Sequence, residues 1–290
     1  MAMEETKRFL IFDSNSLIHR AYHALPPLTT KKGEVVGAVY GFLLVFLRAI
    51  KELKPDFVAA AFDVKGPTFR HKQYKEYKAN RVKAPDNLYA QIPIVKEVLK
   101  SFGVNFFEKE GFEGDDIIGT LASPAVQAKL ETVIVSGDTD TLQLIDEKTK
   151  AYILRKGVKD IVLYDSNAVK EKYSGLVPGQ LLEYRALKGD PTDNITGVPG
   201  IGEKTAIDLV SRFGTLDNIY QNIWQIKPKT GELLTKYKET AYLSRDLSKI
   251  NKEVPLDFNL QKCSWFNYNK ALALPKIEEL GFVSLIPRLP

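Results

Sequence analysis

Nine acids stand where a sheet of parallel strands would gather them. Asp13 follows LIF, Asp63 follows AAF, and Asp138 and Asp140 follow VIVSG. Each closes a short apolar run with the length and β-branched or small-residue content of a buried strand, at residues 9–12, 57–62 and 132–135. In open parallel sheets the ligand crevice lies beyond the carboxyl ends of the strands, so acids delivered there converge. GFEGDDIIG adds Glu113, Asp115 and Asp116 at the start of a helix, and KGDPTDNI adds Asp190 and Asp193 from further along the chain. Taken singly, each has a bland account. Asp115 or Asp116 caps a helix and matches its dipole, Asp193 is a turn residue, and Asp63 precedes a Gly-Pro turn. As a set they would repel one another unless cations neutralise them.

Oxygen ligands with no nearby His or Cys select hard ions, Mg²⁺ or Mn²⁺, over zinc. Seven or more carboxylates suit two ions about 4 Å apart, the arrangement that hydrolyses phosphodiesters. The ions acidify an attacking water and stabilise charge on the phosphate and the leaving oxygen, so no side-chain nucleophile is needed. The lack of an evident Ser/His or Cys/His pair agrees. His19 and His23 stand four apart, a spacing that can hold zinc on a helix. No HExxH pattern or third ligand accompanies them, and the expectation is that they pack or hydrogen-bond near the crevice.

Two further segments point to a polyanion. Residues 65–83, KGPTFRHKQYKEYKANRVK, hold seven Lys/Arg (Lys65, Arg70, Lys72, Lys75, Lys78, Arg81, Lys83) against one acid, Glu76, with Phe69, Tyr74 and Tyr77 interleaved. Cations that follow phosphates and rings that accept bases suit a single strand. A charge run is more often a solvated helix face, but this one begins just past Asp63, over the proposed metals. In ITGVPGIGEKTAIDLV, Gly197, Gly200 and Gly202 surround a tight turn and a helix starts near Glu203. Such a hairpin presents backbone N–H groups and a helix N-terminus to a phosphate. It is neither a P-loop, since Glu203 follows Gly202, nor a dinucleotide fingerprint, since the third glycine and the preceding strand are missing.

The elements that must position these residues read as follows. Helical patterns at 35–53, 88–102 and 115–122 separate the strand candidates, which argues for α/β architecture with a mostly parallel sheet. Runs at 150–154 and 161–164 read as edge strands or a hairpin. From about Leu176 the strand signal fades and short helices alternate with Gly/Pro punctuation, placing a boundary near residue 175. The chain of 290 residues exceeds the usual single-domain length, so two packed units are expected, 1–175 and 176–290. A net charge of +5 is only a mild bias toward polyanions. The lone Cys263 rules out a disulfide framework within the chain and fits a reducing cytoplasm. The first residues offer no signal-peptide core, and the greasiest stretch, 35–47, is too short to span a bilayer. The closing PKIEELGFVSLIPRLP reads as an approach to another domain, with a natural terminus as the alternative.

These residues resemble a known family, the 5′ nuclease domain of bacterial DNA polymerase I and the related flap endonucleases. The resemblance covers nearly the whole chain and rests on LIFDSNSLIHRAYHAL, AVYGF, FDVKGPTFRHKQYKEYKANR, GFEGDDIIGTLA, VSGDTDTLQL, YRALKGDPTDNITGVPGIGEKTA and LGFVSLIPRLP. It implies a PIN-like nuclease core with a smaller helical, helix-turn-helix DNA-binding region. It assigns Asp13, Asp63, Glu113 and Asp115 to a first metal group with Asp116 nearby, and Asp138, Asp140, Asp190 and Asp193 to a second. The basic run resembles the family's helical arch. There Lys78 matches a lysine on the scissile phosphate, Arg70 and Arg81 match neighbouring phosphate contacts, and Tyr77 could stack on an unpaired base. Arg20 resembles another basic position near the scissile strand. The hairpin with Lys204 would grip duplex DNA, with a K⁺ ion at its carbonyls. One departure is Ser123-Pro124, where proline should kink or end a helix that the family runs on.

The sequence therefore leads to a two-metal 5′-3′ exonuclease and flap endonuclease. It would remove primers and displaced flaps in DNA replication and repair, in the bacterial cytoplasm at the nucleoid, with a polymerase domain as a covalent partner and no membrane. Two alternatives stay open: a non-catalytic DNA-junction binder that kept the acids for folding, and an RNase of the same fold.

Overall fold

The computed structural model describes residues 6–123 and 130–290. Six strands form one sheet in the order β3-β2-β1-β4-β5-β6: β1 (Lys7–Asp13), β2 (Phe57–Ala61), β3 (Asn105–Phe107), β4 (Leu130–Ser136), β5 (Thr149–Lys156) and β6 (Asp160–Tyr164). All neighbours pair parallel except β5 and β6, which form an antiparallel hairpin. The expected α/β class and mostly parallel sheet are thus present. The two late runs are indeed a hairpin, and β6 is the edge. The half-buried three-residue β3 went unseen in the sequence, being shorter than any pattern that alternation can mark.

Burial on both faces explains why the central strands read as continuous apolar runs. Along β1, Leu10 and Phe12 face one core while Phe9 and Ile11 face another, and Val58/Ala60 and Phe57/Ala59 of β2 divide the same way. On the first face lie α1 (Ser14–Ala24), α2 (Gly37–Leu53) and α5 (Gln91–Ser101). Short helices α3 (Phe69–Gln73) and α4 (Asp86–Tyr89) precede α5, so the pattern read over 88–102 is broken at Ala90. The opposite face is covered by α6 (Gly114–Leu121) through Ile117, Ile118 and Leu121. Ala122 is the C-cap of α6, and the proline expected to end it, Pro124, lies outside the described residues.

Beyond β6 the chain is helical: α7 (Ser166–Lys172), α8 (Leu181–Lys188), α9 (Glu203–Phe213), α10 (Leu216–Gln221), α11 (Pro228–Lys236), α12 (Lys238–Ser248) and α13 (Lys270–Glu279). Residues from α7 to α12 share an apolar core with Ala151 and Ile153 of β5. The last stretch returns to the first core, where Ala273, Ile277, Leu280, Phe282, Leu285 and Leu289 pack with residues of α2 and α5. The two cores therefore do not divide the chain at one point. The apolar spacing of the tail thus serves packing into the first core. Among the described residues no helix is long and apolar enough to cross a membrane.

Candidate metal and nucleic-acid site

The sheet order reverses between β1 and β4: β2 and β3 lie to one side, β5 and β6 to the other. Crossovers depart in opposite directions there and leave a crevice at the strands' carboxyl ends. Asp13, the last residue of β1, is 5% exposed and accepts from Ser136 Oγ at 2.6 Å and from the Ser16 amide at 3.2 Å. Asp63, just past β2, accepts from the Gly114 amide at 2.6 Å, which ties α6 to that strand end. Its own amide donates to Asn15 Oδ1 at 3.1 Å. Asp138 accepts from the Asp140 amide at 2.9 Å, and its amide donates to Ser136 Oγ at 2.8 Å. Arg185 of α8 pairs with Asp140 and lies 3.9 Å from Asp190. Oxygens of Asp140, Asp190 and Asp193 lie within 4.8 Å of one another.

The crevice has a volume of about 750 Å³ and is lined by Asp13, Asp63, Glu113, Asp115, Asp138, Asp140 and Asp193 against the cations Arg20, Lys78, Arg81 and Lys156. Asp190 lines an adjoining lobe with Arg185 and Lys188. Eight of the nine expected acids thus converge from β1, β2, α6, β4 and the turn after α8. Their crowding shows in their acidities. Burial, opposed by the Ser136 and Ser16 hydrogen bonds, raises Asp13, and burial raises Asp63 against the Gly114 amide. Burial and then the charges of Asp13, Asp138 and Asp140 lift Asp115 well above the carboxylate range. Burial and Asp140 push Asp138 up to about 8. Burial works against Asp140 as well, but the Arg185 guanidinium holds it below its ordinary value. Buried oxygen donors crowded at one strand edge fit a hard divalent cation, whose charge would offset both their burial and their mutual repulsion.

Two histidines border this crevice, and burial, with His23 close by, holds His19 below its usual range. Neither belongs to the group of Asp140, Asp190 and Asp193 oxygens.

The ninth acid departs from expectation. Asp116 is fully buried and accepts both guanidinium bonds of Arg70 at 2.8 Å, together with the amides of Glu113 at 3.1 Å and Asn251 at 2.8 Å. Its oxygens are committed, so it braces α6 rather than facing the crevice. Arg70 also departs from its expected phosphate role. It is 2% exposed and donates further to the carbonyls of Leu247 at 2.9 Å and Lys249 at 2.7 Å. Tyr77 is likewise buried, with its hydroxyl 3.1 Å from Glu113 and 3.3 Å from Asp193, so its ring offers no stacking face in this conformation. A charge run read from sequence treats every cation as solvent-facing, whereas this segment turns Thr68, Arg70 and Tyr77 inward.

Nor is the basic segment an extended helical arch here. Only Phe69–Gln73 is helical, and the turns at 75–80 fold against the 190–194 loop. The Lys78 amide donates to Asp193 O at 2.9 Å, Asn80 Nδ2 to Pro191 O at 2.6 Å, and Asn194 Nδ2 to Glu76 O at 2.7 Å. Lys78 (φ 57°) and Asn194 (φ 57°) both adopt the left-handed conformation at this joint, a local strain held by the surrounding contacts. Lys78 Nζ sits 2.9 Å from Glu113, and Arg81 pairs with Asp193. Burial disfavours both charges, but these carboxylates raise both groups.

In the glycine hairpin the three glycines differ in kind. A Cβ on Gly197 (φ 66°) would lie 2.3 Å from the Gly189 nitrogen, so two backbones cross there. Gly200 (φ 90°) makes the left-handed turn. Gly202 is exposed, has open space where a Cβ would stand, and begins α9 with no side-chain cap, beside exposed Lys204.

Sequence reasoning missed Arg185, Ser136, Asn15 and Lys156. Arg185 sits inside the quoted YRALKGDP, but an arginine within a short helix reads as solvated. Ser136 and Asn15 differ from ordinary cap and turn residues only through partners remote in sequence.

Residues 8–174 match the family model described as 5′-3′ exonuclease, N-terminal resolvase-like domain, and residues 176–271 match 5′-3′ exonuclease, C-terminal SAM fold. DNA polymerase I of Bacillus subtilis (strain 168) is 39% identical over 288 residues, 99% of this chain and 33% of the relative. DNA polymerase I of Caldicellulosiruptor bescii is 43% identical over 286 residues, 97% and 33% respectively. The chain thus spans about a third of the length of the curated relatives it matches. Among solved structures, a T5 5′-exonuclease with bound zinc superposes with a TM-score of 0.72 at 17% identity, covering 96% of this chain and 100% of the other. Flap endonuclease-1 from Methanococcus jannaschii gives 0.56 at 19%, covering 97% and 93%. At such identities these two show a shared fold. The family models carry the assignment further: the chain belongs to the 5′-3′ exonuclease family.

Proposed function

We propose that the chain hydrolyses DNA phosphodiesters near the junction of a 5′ single strand with duplex, as a structure-specific 5′ nuclease using two Mg²⁺ ions, with Mn²⁺ as a substitute. The observation that carries this reading is the convergence of seven carboxylates on one crevice that also holds Lys78 and Arg81. Asp13, Asp63, Glu113 and Asp115 would hold one ion, and Asp138, Asp140, Asp190 and Asp193 the other. Bound there, the ions would neutralise phosphate charge and acidify a water. The chain's own part is to supply a pre-gathered ligand set and two cations. Lys78 and Arg81, now on Glu113 and Asp193, would exchange those carboxylates for phosphate oxygens. Arg20 stands beside them as a further phosphate contact.

Away from the cut, the uncapped first turn of α9 with Gly200, Gly202 and Lys204 offers amide donors and a charge to a duplex phosphate, while Gly197 keeps the hairpin's crossing closed. A K⁺ ion at the hairpin carbonyls belongs to the same reading. Recognition through phosphates and strand geometry would be independent of sequence. As in the polymerase relatives, the chain would work beside a polymerase domain, removing primers and flaps at the nucleoid.

The test is cleavage of a 5′-flap duplex in Mg²⁺ or chelator by the parent, Asp13→Ala and Asp138→Ala. Cutting at the junction that needs Mg²⁺ and is lost in both variants, with flap binding retained, supports the proposal. Binding without cutting, in Mg²⁺ or Mn²⁺, leaves the junction binder. Preference for a matched RNA flap leaves the RNase.

A further inference from the structure

The crevice carries four cations, and two are engaged by carboxylates. Lys78 is held by Glu113 and Arg81 by Asp193. Arg20 and Lys156, which line the same crevice, pair with no carboxylate among the described residues. Arg20 of α1 instead donates to Arg155 O at 2.8 Å and Gly137 O at 2.5 Å, so its guanidinium bridges the ends of β4 and β5. A Cβ on Gly137 would come within 3.0 Å of Arg20 Nε, so glycine makes room for this placement. A guanidinium has five N–H donors, and the two carbonyl bonds leave it with donors to spare in a locked orientation.

Lys156 arrives from the sheet. It ends β5, the parallel neighbour of β4, and so stands at the same carboxyl edge as Asp63, Asp13 and Asp138. Along that edge, from β2 through β1 and β4 to β5, the sign changes from acid to base at the last strand. The next residue, Gly157 (φ 61°), approaches Ala24 at the end of α1, and His23, Ala24 and Gly157 line the crevice beside Lys156.

A substrate strand brings more than one phosphate into this space. Seven acids line the crevice against four cations, and two of those cations are already paired. The phosphate beside the one being cut must find positive charge or be repelled. We propose that Arg20 and Lys156, walled by His23 and Gly157, form a second phosphate subsite that holds the DNA phosphate adjacent to the scissile one, on the β5 side of the carboxylates. This inference rests on the nuclease reading above.

The test uses the full chain, with Lys156→Ala and Lys156→Arg compared on a 5′-flap duplex. Cutting is measured in Mg²⁺ and binding in Ca²⁺ over a series of salt concentrations. Lys156→Ala is expected to raise KM and Kd about threefold to tenfold with kcat within about twofold, and to reduce the salt slope by about 1. Lys156→Arg restores both. A neutral methylphosphonate at one phosphate beside the scissile one should weaken the parent more than Lys156→Ala, in which Arg20 alone still meets that phosphate. Nicked duplexes with a 5′-phosphate or a 5′-hydroxyl identify the source. Equal losses assign an internal phosphodiester, and a loss confined to the 5′-phosphate assigns the terminal group. An unchanged Kd and salt slope in Lys156→Ala overturns the subsite, as does a fall in kcat with Kd unchanged. Failure of the nuclease reading would show separately, as no Mg²⁺-dependent cutting by the parent.

Discussion

Replacing Asp138 by Asn is expected to stabilise the metal-free protein, although it removes a proposed metal ligand. Burial and the neighbouring Asp140 hold the Asp138 carboxyl at about 8, against an ordinary value of 3.8. At pH 7 the folded chain must therefore keep a proton that the unfolded chain has released. Over roughly three pH units, at about 1.4 kcal/mol each, that costs about 4 kcal/mol. Asp138 keeps partial contact with solvent, which screens the cost, so about 2 kcal/mol is the working figure. For a chain of this size the melting temperature would rise by roughly 4–6 °C. The sign follows from the raised value. The native state binds the extra proton between about pH 4 and 8, so parent stability falls across that window and the advantage of Asn opens with it. Asparagine can still accept from the Asp140 amide, so the local turn survives. The assay is thermal unfolding in chelator at pH 5, 6.5 and 8, repeated with Mg²⁺. Mg²⁺ should raise the parent by mass action and the variant less. A variant less stable than the parent at pH 8 in chelator, or a difference that does not change with pH, would refute this account of crowded, metal-awaiting acids.

Arg70→Ala leaves the fully buried Asp116 unpaired and is expected to cost about 3–5 kcal/mol, read as a lower denaturant midpoint; an effect confined to DNA affinity with unchanged stability would return Arg70 to the phosphate contacts. Gly197→Ala should lose more than about 2 kcal/mol, because a methyl at a left-handed position would strike the Gly189 backbone, whereas Gly202→Ala, with open space around it, should unfold like the parent. Exchanging K⁺ for a bulky tetraalkylammonium ion at constant ionic strength should weaken duplex binding while leaving Mg²⁺-induced thermal stabilisation intact; equal binding in both salts would remove K⁺ from the hairpin.

The acids were legible because strand ends are local facts. LIFD, AAFD and VIVSGDTD each announce a buried strand followed by a carboxylate, and a parallel sheet has one edge for all of them. The helix start at Glu203 and the hairpin's turns could be read from glycine spacing for the same reason. Sequence also carried the family, through motifs spread along nearly the whole chain. What it left undecided was partnership. Asp115 and Asp116 are neighbours, yet one enters the crevice and the other turns to Arg70, because successive residues on a helix point about 100° apart and only one direction faces the strand ends. The same ambiguity hid the inward turn of Arg70 and Tyr77 within a run that reads as uniformly basic. Lys156 and Arg185 are ordinary cations until the fold brings β4, β5 and α8 around one space. Composition and periodicity determine which segments are buried. Which buried charge meets which is decided by contacts between residues far apart in the chain, and only the folded structure closes those distances.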